Sequence, residues 1–189
     1  MNSLVMELLD LPESKGGVSS RAKRAHVQCL PGITAMQAAS AKGGGLIGHD
    51  FCAISLSNLL TDDETILARV KRAAQGDFVI SLYNPASRKR KRLLDQTLQI
   101  IQQYRTDDTP VLIAKNVGRD EERFTLEDLS TFDAAEVDML TVLIIGNSQS
   151  KTFTTNSILN GIDGKWVYTP RGYNKKFHPS NSTKESPRE

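Results

Sequence analysis

From residue 51 onward the chain alternates short apolar runs with amphipathic stretches, and this alternation limits the folds open to it. FCAISLS, DFVISLY, TPVLIAKN and TVLIIGNS are apolar runs of strand length, which predicts buried strands. DDETILARVKRAAQG and SRKRKRLLDQTLQIIQQY repeat apolar residues at helical spacing, which predicts helices between the strands. The alternation therefore predicts an α/β fold with a mostly parallel sheet.

Weaker signals surround this alternation. Residues 2–10 and the stretch TAMQAASAKGGG predict helices, the second ended by its glycines. HVQCL predicts a short strand, KWVYTP an edge strand, and TLEDLSTF a short helix or turn. Ser87 is a predicted N-cap for the helix that follows it, and the polar residues 174–189 are predicted to be a disordered tail.

Composition excludes several classes of protein. The net charge of +2 over 189 residues does not indicate a nucleic-acid partner. Two cysteines, Cys29 and Cys52, are too few for a disulfide framework or a cysteine-rich metal site. The sequence has no apolar run of about 18 residues and no signal-type N-terminus, so we expect a cytoplasmic protein without a membrane partner.

The stretch GHDFC places His49, Asp50 and Cys52 within four positions. A zinc site needs three or four ligands, and the only other histidines are His26 and His178, so no metal site is predicted. Cys52 lies within a predicted strand, which favours buried packing over a nucleophile. Asp50 precedes that strand, where a carboxylate either faces a cleft or stabilises a turn.

Polar and small residues follow three of the predicted strands. In open α/β sheets, ligands bind beyond the carboxyl ends of the strands. These strand ends therefore predict one shared cleft, although each is also compatible with an ordinary turn. The residues concerned are Tyr83, Asn84, Asn116, Gly118, Gly146, Asn147 and Ser148. No phosphate-binding glycine loop of the P-loop or GxGxxG type occurs.

RKRKR, residues 88–92, is the densest run of charge. It is typical of a solvated helix face, and the alternative is a basic rim that attracts a polyanion. Nucleic acid is disfavoured because no aromatic residues are interleaved with the cations.

Several of these stretches together resemble one family. They are PGITAMQAA, GHDFCAISLS, GDFVISLYNPASRKR, TPVLIAKNVGRDEE, VDMLTVLIIGNSQS and YTPRGY. They are similar to the precorrin-3B C17-methyltransferases of cobalamin biosynthesis, a branch of the tetrapyrrole methylases, from about residue 27 to residue 173. The resemblance implies two α/β domains with S-adenosylmethionine held in the cleft between them.

The resemblance also implies how the chain is divided. Residues 1–48 would be a remnant of the N-terminal cofactor domain, residues 49–173 a complete C-terminal domain, and residues 174–189 the tail. The family's GxGPGD-type and SGDP loops do not occur in this sequence. We therefore expect an N-terminally truncated member.

The implied activity is S-adenosylmethionine-dependent methylation of precorrin-3B at C17 with ring contraction. The alternative is a non-catalytic fragment that keeps the C-terminal fold and only binds a tetrapyrrole or a partner chain. A homodimer is also compatible with the resemblance, because family enzymes are commonly dimers.

The resemblance assigns roles to residues of this chain. The catalytic residues would be His49 and Asp50. The implied cofactor-binding residues are Thr34, Ala35, Leu82, Tyr83, Asn84, Asn116 and Val117. The implied substrate-binding residues are Arg88, Arg92, Arg119 and Arg171, because arginine binds the carboxylates of corrin precursors bidentately.

Overall fold

The computed structural model describes residues 2–86, 92–155 and 161–173. The chain forms two compact units, one ending at Ile33 and the other beginning at Thr34. The predicted division at residues 48 and 49 stays a prediction, and the predicted tail lies outside the described residues.

The first unit contains one α-helix and two short turns of 3-10 helix. α1 spans Asn2–Asp10, and the turns are Glu13–Lys15 and Ala22–Arg24, so the helix predicted at residues 2–10 is confirmed. The strand predicted at HVQCL is wrong. Residues 26–30 form no strand, and Val27 and Leu30 remain 42% and 76% exposed. The described part of this unit contains no other strand with which they could pair.

The second unit contains the remaining elements. Its helices are α2 (Ala35–Gly43), α3 (Asp63–Gln75) and α4 (Arg92–Gln102). Its strands are β1 (Gly44–Gly45), β2 (Phe51–Ser55), β3 (Val79–Tyr83), β4 (Pro110–Lys115), β5 (Arg123–Asp128), β6 (Thr141–Ile145), β7 (Lys151–Thr154) and β8 (Lys165–Tyr168). Ser87, the predicted N-cap before α4, lies outside the described residues. In the described ranges, no helix has the length and apolar character needed to cross a membrane.

The larger sheet has five strands in the order β2-β3-β6-β4-β5. Only β2 and β3 are parallel, while the pairs β3–β6, β4–β6 and β4–β5 are antiparallel. The predicted mostly parallel sheet is therefore wrong. β6 is buried along its whole length, and an apolar strand buried on both faces has the same sequence pattern in either orientation.

The smaller sheet has three strands in the order β1-β8-β7. β8 was predicted as an edge strand from KWVYTP, but it lies in the middle, because β1 and β7 pair on either side of it. The helix or turn predicted at TLEDLSTF is confirmed only for its second half, where residues 129–131 form a turn. Its first four residues belong to β5, which pairs with β4 along six residues.

Helices cover both faces of the larger sheet. α3 and α4 contribute Ile66, Val70, Leu94 and Ile101 to one core cluster, as the helical spacing predicted. α2 contributes Met36 and Ala39 to a second cluster that also includes residues of β4, β6 and β8. The end of α2 packs tightly here, since a Cβ on Gly43 would lie 3.2 Å from both the Leu112 and the Val167 side chains.

Candidate functional site

Three strands end at one edge of the larger sheet. β2 and β3 are parallel, with Ser55 paired to Tyr83. β3 and β4 are each antiparallel to β6, so they run in the same direction, and Lys115 at the end of β4 pairs with Thr141. The loops that follow these strands emerge at the same edge, where α/β proteins commonly bind ligands.

Two of these loops and the start of α2 surround a cleft of about 180 Å³. Its walls combine amide, aromatic, aliphatic and cationic side chains. The lining residues are Ala35, Tyr83, Asn84, Asn116, Val117, Arg119, Met139, Leu140, Thr141 and Val142. Five of the seven residues that the resemblance assigned to the cofactor therefore lie together, although they come from three separate parts of the chain.

Asn84 and Asn116 occupy equivalent positions directly after β3 and β4. Both have left-handed backbones, with φ of 50° and 55°, a conformation that asparagine tolerates better than most residues. The Asn84 side-chain amide donates to Ser55 Oγ at 3.0 Å, and the Asn116 N–H donates to the Leu140 carbonyl at 3.0 Å. The left-handed turns redirect the chain where the cleft begins.

The start of α2 is fixed against this cleft. Thr34 Oγ1 accepts from the Gln37 N–H at 3.3 Å, and Gln37 Oε1 accepts from the Thr34 N–H at 3.2 Å, a complete capping box. The Met36 N–H donates to the Tyr83 hydroxyl at 3.0 Å. Thr34 and Leu82 do not line the cleft: Thr34 caps the helix, and Leu82 is fully buried in the opposite core cluster.

The predicted contribution of Gly146, Asn147 and Ser148 to the cleft is wrong. The Asn147 side-chain amide donates to the Asp77 carbonyl at 3.0 Å, and Ser148 Oγ donates to the Asp77 carboxylate at 2.6 Å. Asp77 precedes β3, so this loop lies at the edge where β3 begins. The physical reason is the antiparallel orientation of β6, which carries its carboxyl end away from Asn84.

His49 and Asp50 also lie at that other edge. The Asp50 carbonyl accepts from the Val79 N–H at 3.1 Å, and the length of β2 places it roughly 16 Å from the strand ends at the cleft. His49 Nδ1 accepts from the Asp50 N–H at 2.8 Å. The same Nδ1 lies 3.3 Å from the Asp50 carboxylate. Their catalytic role stays a prediction.

The arginines assigned to the substrate are dispersed. Arg119 lines the cleft. Arg92 is 80% exposed and lies 3.4 Å from the Asp63 carboxylate, whereas Arg171 Nε donates to the Gly48 carbonyl beside a separate cleft of about 350 Å³. Arg88 lies outside the described residues, and of the three described arginines assigned to the substrate, Arg119 alone lines the first cleft.

Cys52 is partly buried in the core beside α3 and α4. Burial raises the pKa of its thiol to about 11, and the charge of Arg105 opposes that shift. A thiol with so high a pKa has little thiolate at neutral pH, so Cys52 is a poor nucleophile. In the described ranges, no three histidine, cysteine or acidic residues are grouped to hold a metal ion.

We expect the two cysteines to differ in alkylation rate. At about pH 8, Cys29, which is exposed, should react quickly with iodoacetamide, while Cys52 should react only after unfolding because its thiolate is scarce. Mass spectrometry of a Cys29→Ser variant isolates Cys52, with the urea-unfolded protein as control. Equal labelling rates in the folded and unfolded variant would contradict the assigned burial.

Sequence reasoning missed several residues of the cleft. Met139, Leu140, Thr141 and Val142 form its fourth wall, because β6 begins, rather than ends, at this edge. Met139 and Leu140 are 45% and 49% exposed, and the signal available in the sequence was this apolar pair directly before the apolar run TVLII. Assigning this pair to the cleft requires the orientation of β6.

Comparisons with known proteins agree on one family. The family model described as Tetrapyrrole (Corrin/Porphyrin) Methylases matches residues 17–133. A probable cobalt-factor III C(17)-methyltransferase of Methanocaldococcus jannaschii is 40% identical over 158 residues, which cover 80% of this chain and 59% of that protein. A precorrin-3B C(17)-methyltransferase of a Sinorhizobium species is 38% identical over 153 residues, covering 80% of this chain and 58% of that protein.

A solved structure gives the same result. The crystal structure of the methyltransferase CobJ aligns with a TM-score of 0.68 at 34% sequence identity, covering 80% of this chain and 59% of that one. The chain thus spans somewhat less than three fifths of these relatives' length.

Proposed function

Because the chain belongs to the tetrapyrrole methylase family, we propose that it is an S-adenosylmethionine-dependent methyltransferase of corrin biosynthesis. The proposed reaction is methylation of C17 of precorrin-3B or of its cobalt-containing counterpart, with ring contraction. Two relatives are named for these reactions. The observation that carries the proposal is the convergence of Ala35, Tyr83, Asn84, Asn116 and Val117 on one cleft.

The chemistry of this cleft suits an adenosyl ligand. Asn84 and Asn116 offer amide donors and acceptors, while Val117 and Tyr83 offer apolar surface, the combination typical of small-molecule sites. S-adenosylmethionine, when bound, supplies an activated methyl group, so the protein needs no strong acid or base. The residues of this chain would then bind and orient the reactants and exclude water.

Arg119 is the residue proposed to meet the substrate at this cleft. It lines the cleft beside Val117, and a guanidinium can bind a carboxylate through two parallel hydrogen bonds. Corrin precursors carry many carboxylates. Arg119 would therefore orient the macrocycle relative to the cofactor.

The size of the cleft favours a second candidate function. At about 180 Å³, it is smaller than the ~300–1,000 Å³ of typical ligand pockets. The described residues would then form one wall of a larger site, and the chain alone would bind ligand or a partner without transferring a methyl group. We expect weak cofactor binding by this chain for the same reason.

Two measurements test the proposal. Ligand-observed NMR with S-adenosylhomocysteine detects weak binding, and incubation with labelled S-adenosylmethionine and precorrin-3B detects transfer of the methyl label. Binding with transfer supports the methyltransferase, and binding without transfer supports the second candidate. The absence of both binding and transfer would exclude the proposed cofactor role of the cleft.

We expect Asn84→Asp to weaken S-adenosylhomocysteine binding about tenfold, because a carboxylate in a half-apolar cleft must lose hydration when ligand binds. Folding should change little, since aspartate tolerates the left-handed backbone and can accept from the Ser55 hydroxyl. Gln103→Glu, the same chemical change at an exposed position after α4, is the matched control. A large drop in melting temperature with unchanged affinity would refute this expectation.

A further inference from the structure

One wall of the cleft is a loop with unusual backbone geometry. β4 and β5 pair as far as Lys115 and Arg123, which leaves residues 116–122 as the connection. Asn116, Gly118 and Glu121 in this loop have φ of 55°, 71° and 61°. Left-handed residues are intrinsically less favourable outside glycine, so side-chain interactions are needed to hold the loop in one conformation.

Glu122 supplies such an interaction from the loop's last position. Its Oε2 accepts from the Gly118 N–H at 3.1 Å, and its Oε1 lies 3.1 Å from the Lys42 ammonium of α2. The Gly118 N–H and, secondarily, Lys42 lower the pKa of this carboxyl below its usual value. The group is therefore anionic at neutral pH, and each oxygen contacts a different wall of the cleft.

Lys42 is positioned to hold α2 in this arrangement. It lies in the last turn of the helix, and its ammonium is 5.7 Å from the centroid of the Phe124 ring on β5, within the range of a cation–π contact. Ala35, at the other end of the same nine-residue helix, lines the cleft. A shift of α2 relative to the loop would therefore change the separation between Ala35 and Val117.

We infer that Glu122 is a positioning residue and that the Lys42–Glu122–Gly118 contacts, called here the clamp, set the spacing of the two cleft walls for the cofactor. The inference rests on the proposed function and adds to it a pair of residues that do not line the cleft. Glu122 acts through the loop that carries Asn116, Val117 and Arg119.

The competing explanation is an ordinary surface ion pair. The Lys42 and Glu122 side chains are 58% and 34% exposed, and exposed ion pairs contribute little to stability. The two explanations predict different measurements. A surface pair affects stability slightly and ligand affinity not at all, whereas the clamp affects affinity with little change in stability.

Four variants separate the contacts. Glu122→Gln can still accept from the Gly118 N–H but turns an amide toward Lys42, and Lys42→Met keeps the Gly118 contact while removing the cation. The double variant tests coupling, and Lys42→Arg restores a cation. The probe is S-adenosylhomocysteine, measured by calorimetric titration together with hydrogen exchange of the Gly118 amide.

We expect each single variant to weaken binding about threefold, the scale of an exposed charge pair. The double variant should lose no more affinity than the single variant that binds less tightly, because both changes break the same interaction. Lys42→Arg should bind like the wild type. Gly118 exchange should accelerate in Glu122→Gln, because a neutral amide oxygen accepts more weakly than a carboxylate, and should change little in Lys42→Met, which keeps the Gly118 contact. Melting temperatures should stay within about 2 °C in both variants.

Lys71→Met on α3 and Glu127→Gln on β5 are the matched charge controls, and both should bind like the wild type. If the wild type binds and all variants bind equally, the clamp is excluded while the proposed function stands. If the losses of the two single variants multiply in the double variant, the residues act independently and the clamp is excluded as well. If the wild type itself does not bind, the cofactor role fails and the inference fails with it.

Discussion

Replacing Arg105 with methionine should lower the free energy of unfolding by about 3 kcal/mol, because it breaks a buried charge network. The Arg105 side chain is only 1% exposed and lies 3.2 Å from the Asp77 carboxylate. Its guanidinium donates to the carbonyls of Gly146, Ala74, Tyr104 and Phe78 at 3.1, 3.0, 3.0 and 2.9 Å. One side chain thus joins the ends of α3, α4 and β6 to the start of β3, and its loss leaves these carbonyls without their charged donor.

Urea unfolding followed by circular dichroism measures the change in free energy, and a thermal melt should show a fall in melting temperature of about 6–12 °C. Arg92→Met is the matched control, because Arg92 is 80% exposed and its pair with Asp63 should contribute less than about 1 kcal/mol. Equal losses in the two variants would contradict the assigned network. Arg105→Lys should fall between them, since an ammonium cannot reproduce the planar set of donors.

Replacing Ala35 with phenylalanine should abolish detectable binding of S-adenosylhomocysteine, a loss of at least about tenfold. Ala35 lines the 180 Å³ cleft, and a benzyl group there would occupy the space proposed for the ligand. Ala35 is half-buried and packs at the edge of the second core cluster, so a melting curve is needed to separate a loss of binding from a loss of stability. Calorimetric titration and a melting curve give the two readouts.

Ala41→Phe is the control for that variant, because Ala41 is exposed on the same helix and does not line the cleft. It should bind like the wild type. Unchanged affinity in Ala35→Phe would place the ligand elsewhere, and the cleft of about 350 Å³ lined by Gly48, Arg171 and Tyr173 would then be the next candidate.

The helices of the second unit were predictable because their signals are local. Asp62 accepts from the Thr65 N–H at 2.7 Å and begins α3, and Ile66, Val70 and Ala74 repeat at helical spacing on its buried face. Strand orientation was not predictable from the same kind of signal. β6 alternates no polar residues, so nothing in TVLII distinguishes a parallel from an antiparallel neighbour.

The orientation of β6 decides which part of the predicted site was right. Asn84 and Asn116 share an edge because β3 and β4 run in the same direction, and strand-end reasoning holds for them. Asn147 does not share it, because β6 runs in the opposite direction. His49 and Asp50 lie at the other edge because they precede β2 rather than follow it, and their catalytic role stays a prediction.

The family resemblance supplied what periodicity could not. It singled out Ala35 and Val117, which the strand-end pattern did not include, and both line the same cleft as Asn84 and Asn116. It gave no signal for Glu122 or Lys42, which are ordinary surface charges in the sequence. Their relation depends on the approach of α2 to the β4–β5 connection, which is a property of the folded chain alone.

The pairing of β1 with β8 sets a late step in assembly of the second unit. Gly44 pairs with Val167, and Thr169 Oγ1 donates to the Leu46 carbonyl at 2.6 Å across 123 residues of chain. Contacts so distant carry the entropy of closing a long loop. During synthesis, α2 can complete its packing against Val167 only after β8 has left the ribosome, so the cleft wall formed by α2 should be among the last parts of this protein to become resistant to protease.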